Sequence, residues 1–251
     1  MKNMLLSFFL VAIISGCNSN VTQPIDYSNK NLLLKTYSSV DANHYTEYFY
    51  TTSYKISEVV RVVNEGENTT NYTYNGQDNI IRENLVYYIT DSPEHSYRNY
   101  EYNHQGLLLM KSAFLLLNDG EYDFRSYKTF EYDLNNNIIS YSIYNPEDIK
   151  VKYFELFYDN SGNVIETNFY QNGELSFNNK YEYDNKNNPY RKTSTNTSAF
   201  SISSNNIIKN EYTNFMMDGE TQVKVYSYEY NENGYPISYT YDSVKLLFEY
   251  Y

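Results

Sequence analysis

The chain has 251 residues and a net charge of −12, with 33 tyrosines, 13 phenylalanines and no tryptophan. This aromatic content argues against a disordered chain, and the single cysteine excludes an intrachain disulfide. The negative charge disfavours contact with nucleic acid, whose phosphates would repel it. We therefore expect one folded, Tyr-rich domain and no nucleic-acid partner.

Residues 1–16 have the pattern of an export signal. Lys2 precedes an apolar run at residues 4–14 that is shorter than a comfortable transmembrane helix. The run ends in Ser15-Gly16-Cys17, which resembles the lipobox of bacterial lipoproteins. The resemblance implies cleavage before Cys17 and several acyl chains on that residue, as stable anchoring requires. The alternatives are an uncleaved anchor and an ordinary signal with a chance cysteine.

Residues 17–30 are predicted to form a lipidated flexible tether, because they are polar and lack periodicity. Residues 31–251 are predicted to form a single β domain. Since Asp does not follow Cys17 directly, the lipoprotein resemblance favours the outer membrane, on its periplasmic or its surface face. The expected partner there is the membrane itself, reached through the lipid on Cys17.

One phrase recurs along the rest of the chain: an aromatic residue, a polar residue, a second aromatic residue, and a turn opened by Asp or Asn. Its clearest copy is Tyr181-Glu182-Tyr183-Asp184. The copies follow one another at intervals of about 25 residues. A degenerate copy is expected near residues 203–208, in a gap close to two units long. The second aromatic residues are Tyr50, Tyr74, Tyr102, Tyr132, Tyr158, Tyr183, Tyr230 and Tyr250.

Each repeat contains two turn signals, and the residues between the turns alternate with period two. This pattern predicts an all-β fold: an antiparallel meander of about 16 strands, built from tandem hairpins and curved or rolled into a barrel-like sheet. In the first turn of each repeat, Gly or Asn is expected in the left-handed conformation. The residues concerned are Gly106, Gly162, Gly234, Asn136 and Asn187.

Residues 107–117 are the most apolar stretch after the signal segment. We expect a strand buried on both faces or facing a lipid-like cavity, with a short helix as the alternative. The chain also ends in an aromatic residue, Tyr251, as membrane-spanning barrels do. Charges interrupt the apolar face of most strands, however, which argues against a lipid-facing band.

The phrase Tyr-Glu-Tyr-Asp, followed by polar residues and Gly-Asn or Asn-Asn, resembles the YD-type repeats of bacterial exported proteins. With the lipobox in front, the chain from about residue 45 to its end resembles uncharacterised bacterial lipoproteins that carry these repeats. Some of them are classed as having a porin-like β fold. The resemblance implies a β shell, and some members of the class bind carbohydrate. The arginine-rich and toxin-bearing regions of longer members have no counterpart here, so toxin delivery is not implied.

The sequence offers no recognisable catalytic constellation. Its three histidines, His44, His95 and His104, do not form HExxH or another metal-ligand pattern. Turn residues such as Asp133 and Asp159 lack the density of a calcium loop, and local hydrogen bonds explain them. We therefore expect no enzyme, no cofactor and no metal. An enzyme would be favoured if His95 or His104 sat in a pocket beside a carboxylate.

The rows of tyrosines are the candidate ligand surface, because aromatic faces can stack on sugars or apolar ligands. The alternative is that they form the core of a Leu-poor protein. Our leading hypothesis is a non-enzymatic, lipid-anchored envelope protein that binds a glycan or another ligand. The alternatives are an envelope structural or assembly factor acting through protein contacts, and an enzyme without a recognisable motif. The candidate residues are Tyr100, Tyr102, Tyr132, Tyr158, Tyr181, Tyr183, Tyr228 and Tyr230.

Overall fold

A computed structural model describes residues 31–63, 66–88, 93–193, 197–217 and 219–251. The predicted signal peptide, Cys17 and the tether lie outside these residues. The described chain is almost entirely β-strand, as the alternating pattern predicts. The strands are β1 (Leu33–Ser38), β2 (Tyr45–Tyr50), β3 (Ile56–Val63), β4 (Gly66–Tyr74), β5 (Ile80–Tyr88), β6 (Pro93–Tyr102), β7 (Leu108–Leu116), β8 (Tyr122–Tyr132), β9 (Ile138–Tyr144), β10 (Lys150–Tyr158), β11 (Val164–Gln171), β12 (Glu174–Tyr183), β13 (Ile207–Asn214), β14 (Thr221–Val225), β15 (Ser227–Tyr230), β16 (Pro236–Tyr241) and β17 (Val244–Tyr250).

These strands form one antiparallel sheet in which chain neighbours pair and β17 returns to pair with β1. Only Tyr226 separates β14 from β15, and its N–H donates to the carbonyl of Ile208 at 2.8 Å. The two are halves of one strand, since β14 pairs with β13 and β15 pairs with β16. The meander is therefore a nearly closed barrel, which confirms the predicted fold class and its strand number of about 16.

Side chains alternate between the lumen and the outer surface, as the strand period of two requires. On β2, Tyr48 faces the lumen and is 7% exposed, whereas the next residue, Phe49, is 37% exposed. The outer surface carries cross-strand ion pairs of the kind found on water-exposed sheets. Three of these pairs are Lys35–Glu47 at 2.9 Å, Lys209–Glu182 at 2.7 Å and Lys245–Glu229 at 2.7 Å.

The second tyrosine of the repeat links each hairpin to the one before it. The hydroxyl donates to a backbone carbonyl of the preceding hairpin. The acceptor residue lies at the start of that hairpin's second strand. In the one departure, Tyr228 rather than Tyr230 donates to Ile207, at 2.9 Å. The bonds form a ring at one end of the barrel, which we call the tyrosine rim. The other donor–acceptor pairs are Tyr50–Leu33, Tyr74–Ile56, Tyr102–Ile80, Tyr132–Leu108, Tyr158–Ile138, Tyr183–Val164 and Tyr250–Pro236.

A register shift precedes the second tyrosine in most hairpins, for example between Phe49 and Tyr50 and between Glu131 and Tyr132. Such bulges bend a strand and increase its twist. Their recurrence at the same step of each repeat helps the sheet to curve at the tyrosine rim.

Six turns at the tyrosine rim share one geometry. The side-chain oxygen of the first turn residue accepts hydrogen bonds from the N–H groups two and four positions later. These first residues are Thr51, Asn75, Asn103, Asp133, Asp159 and Asn231. The fourth residue has positive φ, which confirms the prediction for Gly106, Gly162, Gly234 and Asn136.

The turn after Tyr183 departs from this rule. Asp184 keeps the first role: its Oδ1 accepts from the N–H of Lys186 at 2.9 Å and from that of Asn206 at 3.1 Å. In the regular turn of Asp159, the matching N–H groups belong to residues two and four positions later. Residues 187–205 are therefore an insertion within an otherwise ordinary turn, and we call them the insertion.

Two sequence predictions are wrong at this place. Asn187 does not have positive φ, so it is not the left-handed residue of a tight hairpin; its N–H donates instead to the carbonyl of Gly234 at 3.0 Å. The expected degenerate copy near residues 203–208 is not a hairpin unit either. Residues 203–206 close the insertion, and Ile207 begins β13.

The apolar stretch at residues 107–117 forms β7 rather than a short helix, which confirms the preferred prediction. Burial on both faces is wrong, since Leu109 is 48% exposed. Among the described residues, no helix has the length and apolar character needed to cross a membrane.

Candidate ligand cavities in the barrel lumen

The insertion folds into the barrel lumen. It contains a 3-10 helix, Pro189–Lys192, and a single α-helical turn, α1 (Ala199–Ile202). The ring centroid of Tyr190 lies 5.9 Å from that of Phe248 on β17. Ala199 is buried against the apolar cluster formed by β8 to β11 and β13. The insertion thus packs against two separate parts of the barrel wall.

Asn188 holds the two short helices together. Its amide Nδ2 donates to the carbonyls of Phe200 at 2.7 Å and Ser203 at 2.9 Å, and its Oδ1 accepts from the N–H of Tyr190 at 3.0 Å. Because Asn188 is buried, the loss of these bonds would leave polar groups without water or partner.

Further bonds attach the insertion to the tyrosine rim. The Oγ of Ser203 accepts from the N–H of Val164 at 3.1 Å and lies 2.9 Å from the hydroxyl of Tyr183. Asn205 and Asn163 are joined by two hydrogen bonds, at 3.1 and 2.9 Å. The position of the insertion in the lumen is therefore fixed by specific contacts as well as by apolar packing.

The larger lumen cavity has a volume of about 610 Å³, and five of its eleven lining residues are aromatic. We call it the aromatic cavity. Burial raises the pKa of Tyr190, Tyr228 and Tyr239, so these phenols stay neutral at physiological pH. Its lining comprises Arg61, Asn188, Pro189, Tyr190, Phe200, Ser201, Asn206, Ile207, Tyr228, Tyr239 and Phe248.

A second cavity of about 330 Å³ lies against β6, β7 and β8, and we call it the basic cavity. Three of its lining residues are cationic: Arg98, Lys111 and Lys128. Thr197 of the insertion also lines it. The same inserted segment therefore contributes to the walls of both cavities, which differ in chemistry.

The eight tyrosines predicted as a ligand surface lie on the lumen side of their strands. Most of their hydroxyls donate to backbone carbonyls at the tyrosine rim, and the Tyr230 hydroxyl donates to Asp184. Tyr181 and Tyr183 lie 6.5 Å apart, centroid to centroid, within the apolar cluster around Ala199. Of the eight, Tyr228 lines the aromatic cavity. A ligand role for these residues stays a prediction.

Sequence reasoning missed the other residues of the cavities. Arg61, Tyr190, Tyr239 and Phe248 come from separate parts of the chain and meet only when the barrel closes. For the basic cavity, the sequence contained one signal. Lys111 is a charged residue within the most apolar stretch, and the strand period of two places it on the same face as Ala113.

The outer surface carries its own aromatic cluster near the opposite rim, on β6 to β9, which we call the outer aromatic row. Its rings are in contact: Tyr97 stacks on Phe114 with centroids 4.6 Å apart, and Tyr127 stacks on Tyr144 at 4.7 Å. The remaining members are Tyr122 and Phe124. This row, unlike the repeated tyrosines, lies on the outside of the barrel.

The histidines lie away from both cavities. His104 is exposed in the turn after β6, His95 lies opposite Val86 in the sheet, and Nδ1 of His44 is 3.5 Å from Oδ2 of Asp41. Within the described part of the chain, no group of three or more His, Cys, Asp or Glu residues is placed to hold a metal ion.

Comparison with solved structures identifies the type of fold. A porin-like protein from Bacteroides uniformis superposes with a TM-score of 0.56 at 9% identity, over 86% of this chain and 96% of that one. A porin-like protein from Bacteroides vulgatus gives a TM-score of 0.44 at 13% identity, over 78% and 98% of the two chains; that score is too low to add to the argument. The chain thus has the barrel fold of a porin-like protein. No protein-family model and no curated protein matches it.

Proposed function

We propose that this protein is a non-enzymatic, lipid-anchored protein of the bacterial cell envelope that binds a glycan in its aromatic cavity. The observation that carries this proposal is the 610 Å³ lumen cavity, where tyrosine rings stand beside Arg61, Asn188 and Ser201. A mostly apolar cavity of this size with a few polar groups is typical of small-ligand sites. Aromatic faces with polar neighbours suit a sugar, which has both apolar and hydroxyl-bearing surfaces.

The envelope location is supported by the lipobox-like segment before Cys17 and by the similarity in fold to a porin-like protein. The course of the chain suggests an orientation. Asn31 lies at the tyrosine rim, where its Oδ1 accepts from Nδ2 of Asn233 at 3.1 Å. The tether would leave the barrel at this rim, so the tyrosine rim would face the outer membrane and the opposite rim would face away.

A glycan array followed by affinity electrophoresis tests the binding proposal. Arg61→Ala should weaken binding of any glycan found at least fivefold, because Arg61 lines the aromatic cavity. Arg125→Ala is the matched control, since Arg125 pairs with Asp123 outside both cavities, and it should leave affinity unchanged. Silence across chemically diverse glycans would overturn the glycan assignment, and equal effects of the two variants would overturn the site.

The lipid anchor has a separate test. Cys17→Ala should remove the acyl mass from the mature protein and release it from the membrane fraction or stall its maturation. Intact mass spectrometry and membrane fractionation measure both effects. An unchanged mass with unchanged membrane association would contradict lipidation at Cys17.

The alternative function, an envelope structural or assembly factor, is favoured by the outer aromatic row. Aromatic residues are enriched in the cores of protein interfaces, and Tyr122 in this row is 45% exposed. A photo-crosslinking residue at position 122 should capture a specific envelope protein in whole cells. The same residue at position 180, on the outer face of β12, is the control. Equal capture at both positions, or none at either, would count against this alternative.

A further inference from the structure

Three cationic side chains face the lumen on neighbouring strands: Arg98 on β6, Lys111 on β7 and Lys128 on β8. The pairing register puts Lys111 directly opposite Lys128. Like charges at opposed positions of a sheet repel and destabilise the pair. The arrangement is therefore unfavourable unless negative charge lies close to the three cations.

Glu83 on β5 supplies part of the compensation. Its side chain is 1% exposed, and its Oε2 lies 3.0 Å from Nη1 of Arg98 and 3.3 Å from Nζ of Lys111. In the described part of the chain, no carboxylate lies within ion-pair distance of Lys128, whose Nζ is 5.4 Å from the centroid of the Tyr141 ring. Among the described residues, one carboxylate and three cations therefore leave the cluster with an excess of two positive charges.

The charges of Lys111 and Lys128 are costly because both side chains are poorly solvated. The Lys111 side chain is 11% exposed. Burial, with repulsion from Arg98 and Lys128, lowers the pKa of Lys111 to about 8, although attraction to Glu83 opposes the shift. Burial and repulsion from Arg98 also lower the pKa of Lys128, with a further contribution from Lys152 on β10. The cluster is basic within a chain whose net charge is −12, so it does not reflect general composition.

The basic cavity has room and hydrogen-bond donors for an anion. Its 330 Å³ are lined by the three cations and by the hydroxyl-bearing Ser126 and Thr197. Guanidinium and ammonium groups are donors only, and together they match the oxygens of a sulfate or phosphate group. A desolvated site strengthens such charge-assisted bonds relative to those at an exposed surface.

We propose that the basic cavity binds a divalent oxyanion, sulfate or phosphate, either as the free ion or as the phosphate group of a small phosphomonoester. Two negative charges would balance the excess of two positive charges that Glu83 leaves in the cluster. This site is separate from the aromatic cavity, and the proposal does not depend on glycan binding there.

Isothermal titration calorimetry on the purified full chain in a neutral detergent tests the proposal. The probes are sodium sulfate, sodium phosphate and glucose 6-phosphate, each titrated in a constant chloride background. At least one should bind, and Lys128→Met should weaken that binding at least tenfold while keeping most of the apolar stem. Lys180→Met is the matched control, because Lys180 is an exposed lysine on the outer face of β12; it should change affinity less than twofold.

The pattern of binding separates the two sources of the anion. Binding of the inorganic ions supports a free-ion site, and binding of glucose 6-phosphate alone supports a site for an organic phosphate. Absence of binding by all three probes would overturn the proposal. Equal loss of affinity in the Lys128 and Lys180 variants would also overturn it, because the binding would then be a general surface effect.

Proton uptake gives a second readout that a nonspecific effect would not produce. The groups facing Lys111 are Glu83 on β5, Arg98 and Tyr100 on β6, and Lys128 on β8. A bound anion stabilises charged Lys111 and raises its pKa, so binding near pH 8 should take up protons. Sulfate does not titrate in this range. If it binds, its heat should depend on the buffer in the wild type, and this dependence should be smaller in Lys111→Met, where only Lys128 keeps a lowered pKa. Sulfate binding without proton uptake in the wild type would contradict the assignment.

Discussion

Six turns at the tyrosine rim are short and alike, and one is expanded by the insertion. In the short turn of Asp159, Asn163 supplies its N–H to Oδ1 and its side-chain amide to Oδ2 of the same aspartate. Asn206 makes both bonds to Asp184 across the expanded turn. The hydrogen-bond frame of the turn is thus unchanged, although a folded segment has been placed inside it.

This comparison separates two tasks within one repeat. The frame residues join hairpins and close the barrel. Any one of them contributes little to the stability of the barrel, because the same bond recurs around the tyrosine rim. The insertion occurs once, divides the lumen and helps to form both cavities. We therefore expect changes in the insertion to cost more stability, and to alter ligand binding more, than equivalent changes in the frame.

Excising the insertion should have the largest effect. Deletion of residues 187–204 removes all of the insertion except Asn205, which becomes the fourth residue of a regular turn and is followed by Asn206. The barrel should still form, because the frame bonds of Asp184 remain available. Its free energy of unfolding should fall by about 4 kcal/mol or more, since Tyr190, Ala199 and Ile202 leave the core.

Far-UV circular dichroism and urea denaturation measure the two parts of this prediction. Retained β signal with a lower urea midpoint is the expected result. A deletion variant as stable as the full chain would contradict the structural role of the insertion. Complete loss of β structure would show that the frame does not close the barrel without it.

A single substitution sharpens the same comparison. Asn188→Ala removes three hydrogen bonds and leaves the carbonyls of Phe200 and Ser203 unsatisfied, so it should cost about 2–3 kcal/mol. Asn231→Ala, at the first residue of a regular turn, removes two side-chain bonds in a partly exposed setting and should cost about 1 kcal/mol. Urea denaturation compares the variants, and equal costs would argue against the special place of Asn188.

The repeated part of this fold could be predicted from sequence because its signals are local. Alternation gives the strands, and Asn, Asp and Gly give the turns within a few residues of one another. The partners of the tyrosine hydroxyls were not predictable in this way. Tyr102, for example, donates to Ile80, which lies 22 residues earlier at the start of the neighbouring strand β5, and this contact exists only once β5 and β6 have paired.

The candidate site was predictable only in part, for a related reason. The long gap between Tyr183 and Tyr230 signalled an irregular unit, but its length alone did not distinguish an extra hairpin from an insertion. Alternation puts Arg98 on the same face as Tyr100. It does not show that β7 brings Lys111 beside them, because register between strands depends on turn geometry and bulges.

The lumen-facing residues of the strands differ between repeats. Lys111 is one of them, and its titration shows how much stability a buried lysine costs the barrel. Because its pKa is about 8 in the folded chain and 10.5 in its ordinary state, the unfolded chain binds more protons between these values. Stability from this residue should therefore rise with pH through that window. Relative to Lys111→Met, the wild type should gain about 1–2 kcal/mol between pH 7.5 and 9.5 in chloride buffer.

Urea denaturation at several pH values measures this difference. Both proteins share the same tyrosines, whose own titration in the unfolded chain cancels in the comparison. Lys180→Met is the control and should track the wild type at every pH. A difference between wild type and Lys111→Met that stays constant with pH would contradict the lowered pKa.

The smallest effect is expected for the loss of one tyrosine hydroxyl at the tyrosine rim. Tyr132→Phe keeps the ring packing and removes the hydroxyl that donates to the carbonyl of Leu108 at 2.9 Å, which should cost about 1 kcal/mol. Tyr122→Phe is the matched control on the outer aromatic row and should cost less than about 0.5 kcal/mol. If the two variants lose equal stability, the hydroxyl ring does not hold the hairpins together. If Tyr132→Phe instead costs as much as Asn188→Ala, the frame bonds act cooperatively, and no single repeat is dispensable.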